Sequence, residues 1–246
     1  SSGNATTRTP NKFLPLNHLT NIGKDINVMI WTPYSLLFLG ACILFGYLLG
    51  SVNFAIIVTR LFGKGDIRSY GSGNAGMTNV LRTVGKAAAV LTLLGDFSKG
   101  IISVLVLRLI FPLLFQAPAP IEMEFLVAYA ALLGHVFPLY YGFKGGKGIL
   151  VSAGAMLILS PWSLLICLVV FLAFAAATRY ISVGSIAAGV AYPLALLVVR
   201  LIQTGALDWT PALMALPISI LVIGLHRANI QRLIQHTESK VSFKKK

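Results

Sequence analysis

Seven stretches of the chain are almost unbroken runs of apolar side chains, at about residues 33–59, 87–111, 124–141, 149–160, 162–178, 181–203 and 209–225. Most approach the roughly 20 residues that a helix rising 1.5 Å per residue needs to cross a hydrocarbon core of about 30 Å. The run at 149–160 is the shortest; joined to the next through Pro161 it would make a helix nearly twice the required length, so seven separate spans are predicted. Polar residues collect in the short linkers between runs. The pattern predicts an all-α fold, a polytopic integral membrane helical bundle of about seven transmembrane helices. Residues 33–240 form the membrane domain, 1–32 an amino-terminal tail without assigned function, and 241–246 a short basic tail. No apolar stretch opens the chain, so no signal peptide is predicted.

Composition agrees with that solvent. Of 246 residues 57% are hydrophobic and 11% charged, which excludes an ordinary soluble domain, a disordered chain and a disulfide scaffold. Cys42 and Cys167 lie alone inside apolar runs and are read as small packing residues. The formal charge of +13 would suit a nucleic-acid binder, but the basic residues sit in short segments between apolar runs. That distribution matches membrane topology and anionic lipid or phosphate partners, and no nucleic acid is expected.

Lys and Arg are retained on the cytoplasmic side of a membrane protein, so the linkers report sidedness. Arg60, Lys64, Arg68, Arg82 and Lys86, then Lys144 and Lys147, then Arg179, then Arg227, Arg232, Lys240 and Lys244 to Lys246 hold 14 of the 20 basic residues on alternate linkers. Intervening linkers carry Glu122, Glu124 and Asp208. The amino terminus is therefore expected outside and the carboxyl terminus inside. Arg8, Lys12 and Lys24 disagree mildly, and Arg108 and Arg200 are expected to reach the external headgroups with their long side chains.

Candidate chemistry gathers in three inside segments. In Gly63 to Arg82, Gly71, Gly73 and Gly76 let backbone approach an anion, Ser72, Asn74, Thr78 and Asn79 add neutral donors, and Arg68, Arg82 and Lys86 add charge. GSGNAG matches a dinucleotide fingerprint literally, but no strand precedes it and no βαβ unit fits between membrane spans. In Gly134 to Gly148, Lys144 and Lys147 flank Gly145 and Gly146, a compact set of donors for one anion, without the Ser or Thr of a P-loop. His135 stands at the membrane surface, as either a satisfied buried histidine or a catalytic one. Beyond the last span, helical spacing puts His226 and Asn229 on neighbouring turns. Within the spans, Asp96 and Lys99 are three apart and can pair, as a structural ion pair or in support of a site. Ser51, Asn53, Gly184, Ser185, Ala188 and Gly189 are read as close helix packing. No cluster has metal-ligand spacing, and neither metal nor cofactor is expected.

The segments GSGNAGMTNVLR (71–82), GHVFPLYYGFKGGKG (134–148) and HRANIQRL (226–233), with DIR at 66–68 and DFSKG at 96–100, closely resemble the motifs of the bacterial acyl-phosphate-dependent glycerol-3-phosphate acyltransferases. The likeness spans roughly residues 36–240. It implies a multi-pass protein of the bacterial inner membrane with its active site on the cytoplasmic face. The implied reaction moves a fatty acyl group from acyl phosphate to the 1-hydroxyl of sn-glycerol 3-phosphate, giving lysophosphatidic acid and inorganic phosphate, the first acylation of phospholipid synthesis. It also implies that Ser72, Arg82, Lys147, His226 and Asn229 engage the phosphorylated substrates, with Gly73, Gly145, Gly146 and Lys144 completing the anion site. His135 falls within a family motif too.

Attack on an acyl phosphate requires a polarised carbonyl and a deprotonated hydroxyl. His226, His135 or a substrate phosphate oxygen can take the proton, and Ser72 is the third candidate at the reacting centre. No Cys or Ser sits beside a His–acid pair, so direct transfer without an acyl-enzyme is expected. No histidine is followed five positions later by Asp, the spacing of the other large glycerolipid acyltransferase class, so acyl-CoA and acyl carrier protein are not expected as donors. The chain departs from the family in having His236 where Gly is usual and in a longer amino-terminal tail. The main competing class is a transporter or flippase for phosphorylated solutes or lipids, which Asp96 and Lys99 favour slightly, but no inverted repeat is evident. A lipid-anchored scaffold would leave the pattern of polar residues unexplained.

Overall fold

The computed structural model describes residues 31–240, so the expectations for residues 1–30 and 241–246 lie outside the described residues. Regular structure among the described residues is helical throughout: α1 (Pro33–Ser51), α2 (Phe54–Leu61), α3 (Met77–Thr83), α4 (Lys86–Phe115), α5 (Ile121–Val136), α6 (Ile149–Leu159), α7 (Pro161–Thr178), α8 (Ile181–Thr204), α9 (Thr210–Leu225) and α10 (Arg227–Ile234). Five units are long and apolar enough to cross a membrane: Pro33–Leu61, Lys86–Phe115, Ile121–Tyr141, Pro161–Thr178 and Ile181–Thr204. The pair α9 and α10, bent by 49°, makes a sixth. Each of the seven predicted apolar runs thus contains a helix, and five or six units, not seven, have the length to cross. Helix α6 differs in length, since its 11 residues rise only about 16 Å. Even so, the chain reaches the opposite end of the bundle by Ser160, which lies beside Arg200, Gln203 and Pro211.

Local signals place the starts. Thr32 and Ser35 form a reciprocal capping box ahead of α1, each side chain accepting the other's backbone N–H at 3.1 and 2.9 Å, and Pro33, Pro161 and Pro211 occupy first-turn positions where a missing N–H costs nothing. Packing between the long helices depends on small residues, as expected where lipid gives no hydrophobic drive for association. A methyl group on Gly50 would run into the backbone of Ala131 in α5, and one on Gly154 into the carbonyl of Phe97 in α4. Gly184 likewise packs against the Phe171 carbonyl, but Ser185, Ala188 and Gly189 turn out to line a cavity instead of a helix contact. Cys42 and Cys167 are free thiols in buried apolar clusters.

The first predicted run is broken. Asn53, in extended conformation, caps α2 by accepting the Ile56 N–H at 3.2 Å, and the chain leaves helical geometry at Val52. Unpaired carbonyls are costly at membrane depth. Here Lys99 of α4 covers them, its ammonium donating to Gly50 O at 2.9 Å and Val52 O at 2.8 Å. Ser51, also expected as a packing residue, donates to Tyr47 O and accepts the Leu139 N–H, which ties the end of α1 to the turn after α5. At the other end of the bundle, Arg108 turns inward to pair with Glu124 and donate to the Ile158 carbonyl, so its guanidinium caps α6 and does not reach for headgroups. Arg200 pairs with Asp208 at 3.1 Å.

Candidate active site

The first polar linker folds around one amide. Asn79, 2% exposed, accepts the Ser72 N–H through Oδ1 at 3.1 Å, and its Nδ2 reaches the carbonyls of Tyr70 and Asn74 at 2.9 and 3.1 Å. Expected to donate to a ligand, Asn79 instead holds the glycine loop in shape. Gly71 has φ +56°, and a Cβ there would collide with the Asn79 carboxamide, so only glycine fits this turn. The N–H of Gly73 is taken by Tyr70 O at 2.9 Å and that of Gly76 by Asn74 O at 3.0 Å. Ser72, Asn74, Thr78 and Arg82 of this segment line the cavity. Arg68 is also used within the protein. It grips Asp66 at 2.8 Å and donates to Tyr141 O and Lys144 O at 2.7 and 3.1 Å, stapling the first linker to the second, and its guanidinium holds the Asp66 carboxyl below the usual carboxylate range.

In the second linker the N–H groups of Gly145 and Gly146 bond to Val136 O and His135 O at 3.0 and 3.2 Å, so they serve the turn and not an anion. Gly146 passes so close to the His135 ring and the Ala75 carbonyl that a side chain could not be accommodated. Lys144 and Lys86 do not line the cavity among the described residues, whereas Lys147 does. Lys147 donates to Asn229 Oδ1. Burial pushes its ammonium down to about 8, Arg232 and Arg82 push the same way, and Glu238 opposes them.

The third segment begins at the bend between α9 and α10. His226, 3% exposed, donates from Nδ1 to Val222 O at 2.8 Å, because a carbonyl can only accept. Its Nε2 then carries the lone pair, and the residue lines the cavity. One turn on, Asn229 and Arg232 donate to Glu238 at 2.8 and 2.7 Å, and Ser182 of α8 donates at 3.2 Å. Burial alone would raise the Glu238 carboxyl, but these donors more than offset it and hold it low. Arg82 Nη2 donates to Ser239 O at 3.1 Å, so the segment after α10 folds back across the site. His236, where the family resemblance expects Gly, has φ +56°, the left-handed geometry that glycine adopts freely and His occupies more often than most residues.

All three segments meet at the mouth of one cavity of about 360 Å³. Its mouth carries Arg82, Lys147, His226, Asn229, Arg232 and Glu238; its depth is largely apolar, running past Phe171, Leu168 and Val222 to Met156, Ile218 and Tyr192, with the hydroxyls of Ser152, Ser219 and Tyr192 buried there without a partner among the described residues. Such a lining offers cations for an anionic head and apolar surface for a tail. Residues 40–236 match the family model described as glycerol-3-phosphate acyltransferase.

The chain belongs to the glycerol-3-phosphate acyltransferase family. It is 42% identical over 199 residues to the glycerol-3-phosphate acyltransferase of Neisseria meningitidis serogroup C, covering 81% of this chain and 95% of that one. It is 41% identical over 221 residues to that of Bordetella pertussis, covering 88% and 98%. Two crystal structures of PlsY (YgiH), an integral membrane glycerol 3-phosphate acyltransferase, superpose at 35% identity over 85% of this chain and 96% of theirs: the glycerol 3-phosphate form at TM-score 0.72 and the lysophosphatidic acid form at 0.69. This acyltransferase is accordingly a multi-pass integral membrane protein.

Within it the two expected histidines differ. His135 sits behind the linkers, with Nδ1 2.9 Å from the Lys99 ammonium. An ammonium only donates, so Nδ1 accepts and the ring proton is on Nε2. His135 is thereby a donor, and His226 the acceptor. Lys99 also lies 2.9 Å from Asp96, so the predicted intramembrane pair exists and extends to His135. Arg232, Glu238 and Ser182 join the site without having been candidates for it on sequence grounds. Arg232 follows Asn229 by three residues on the same helical face, which was the available signal; Ser182 had none.

Proposed function

We propose that this acyltransferase moves a fatty acyl group from acyl phosphate to the 1-hydroxyl of sn-glycerol 3-phosphate, giving 1-acyl-glycerol 3-phosphate and inorganic phosphate. The observation that carries the reading is the cavity itself: Arg82, Lys147 and Arg232 at its mouth suit two phosphates, and the apolar depth suits the acyl chain. The relatives crystallised with glycerol 3-phosphate and with lysophosphatidic acid support the acceptor and product. Support for acyl phosphate over a thioester donor is chemical. Its leaving group is itself an anion that the same cations stabilise, and no histidine is followed five positions later by Asp, the spacing of the other large glycerolipid acyltransferase class.

In this reading the hydroxyl oxygen attacks the carbonyl carbon of the mixed anhydride, the bond from that carbon to the phosphate oxygen breaks, and phosphate leaves with the electron pair. The hydroxyl proton passes to His226 Nε2, whose tautomer is set by Val222 O. His135 Nε2–H is a donor, and Ser72 with Asn74 orients a phosphate. The site occupies the cytoplasmic face of the bacterial inner membrane, with the amino terminus outside, on the distribution of basic linkers. Product release feeds phospholipid synthesis.

Purified protein in detergent or lipidic mesophase, given acyl phosphate and glycerol 3-phosphate, should release phosphate stoichiometrically with 1-acyl-glycerol 3-phosphate. Turnover with acyl-CoA but not with acyl phosphate would overturn the donor, and a trapped covalent acyl-enzyme would overturn direct transfer.

Lys147 gives the reading a pH signature. A substrate phosphate is dianionic above about pH 6, and free Lys147 loses its proton near 8. The attraction is fullest between those values, and binding an anion raises the lysine pKa, so KM for glycerol 3-phosphate should rise as pH climbs past 8. Lys147→Arg, which stays charged, should flatten that rise whatever its absolute KM. A KM that is level to pH 9.5 in the unmodified enzyme removes Lys147 from the anion site.

A further inference from the structure

The acyl cavity has a floor, and beyond the floor lies a second space. The deepest lining residues of the main cavity include Met156 on α6, Ile218 on α9 and Tyr192 on α8. A separate cavity of about 110 Å³, at the end of the bundle where Ser160, Arg200 and Gln203 meet, is lined on its inner side by Leu159, Leu196, Val199 and Phe125. Leu159 stands three residues beyond Met156, and Leu196 four beyond Tyr192, so each lies one helical turn further along the same face. Tyr192 is 3% exposed and Met156 6%, and both pack with Leu196, Phe125 and Ile218 in one buried cluster. One layer, the Tyr192 ring and the Met156 thioether with Ile218 and Leu164 beside them, therefore lies between the two spaces.

We infer that Tyr192, with Met156, sets the longest acyl chain this enzyme accepts, by closing the cavity where the terminal methyl ends. The inference rests on the reading that the acyl chain lies in this cavity. A rigid ring does this well, because it cannot slide aside as an unbranched chain can, and the packed cluster behind it has no room to receive it. Met156 is the softer half of the floor. The opposite change is also available. Gly189 lines the cavity one turn nearer the mouth than Tyr192, and a Cβ there would meet only the side chains of Ile223 and Val222 at ordinary contact distances of 3.5 and 3.8 Å. A larger side chain at this position raises the floor without touching backbone.

The test is the rate with a series of saturated acyl phosphates of increasing length, read as product formed from each. Tyr192→Ala should open the second space and move the optimum to longer chains, with the preference between a fitting and an overlong donor changing about tenfold per methylene accommodated, the discrimination a hydrophobic pocket gives. Met156→Ala should move it the same way by less, and serves if Tyr192→Ala folds poorly. Gly189→Val should move the optimum to shorter chains, and Tyr192→Phe, which keeps the ring, should leave the optimum where it is. An unchanged length profile in Tyr192→Ala, Met156→Ala and Gly189→Val overturns the inference while product from the unmodified enzyme upholds acyl phosphate as donor. No product from any acyl phosphate with the unmodified enzyme defeats the donor reading itself.

Discussion

Arg82→Ala, Lys147→Ala and His226→Ala should each lower kcat/KM for acyl transfer to glycerol 3-phosphate by about 10²–10³-fold, the usual effect of removing one preorganised group from a reacting centre. The three losses should divide differently. Arg82 is exposed and its hydrogen bond within the protein goes to the Ser239 carbonyl, so its removal should raise KM and leave the melting temperature nearly unchanged. Lys147 is partly buried against Asn229, and Lys147→Ala should raise KM and also loosen the cluster that Glu238 holds together. His226→Ala should act on kcat. If a substrate phosphate takes the proton instead of Nε2, His226→Ala keeps kcat and only KM moves. Steady-state kinetics on monodisperse protein, with a melting curve for each variant, decide the matter, and near-normal turnover in all three would dismantle the assignment of the site.

The parts of this architecture that sequence conveys are those encoded locally. Apolar runs of membrane-crossing length and the break at Pro161 are properties of neighbouring residues, and the three polar segments stand out because almost everything around them is apolar. What each polar residue bonds to is another matter. Asn79, Arg68, Gly145 and Gly146 looked like ligands for an anion because they have the right groups, yet the fold uses those groups to hold the linkers in shape. Their partners lie in carbonyls of turns whose geometry no spacing rule predicts. Glu238 is not legible in the sequence, because a carboxylate at a site for phosphates makes sense only with Asn229, Arg232 and Ser182 donating to it. The break at Val52 was hidden because its remedy, Lys99, is 47 residues away.

Lys99→Met should be the most damaging single change outside the site, lowering stability by about 3–5 kcal/mol, because it leaves a buried charge without its partner. Lys99 is 1% exposed and its ammonium lies 2.8–2.9 Å from four acceptors: Gly50 O, Val52 O, His135 Nδ1 and Asp96 Oδ1. Three protons serve the two carbonyls and the imidazole, so Asp96 is held by charge. Removing the ammonium therefore strands a carboxylate, uncovers two carbonyls at the break between α1 and α2, and takes away the donor that fixes the His135 tautomer. For a chain of this size the loss corresponds to a fall in melting temperature of roughly 6–20 °C. Asp96→Asn combined with Lys99→Met removes the stranded charge and should recover part of that fall, whereas the two carbonyls stay uncovered and prevent full recovery. A pair that only neutralised itself would recover completely; additive losses in the double variant, or a Lys99→Met protein that melts with the unmodified one, would show that this ammonium does not hold the first span together.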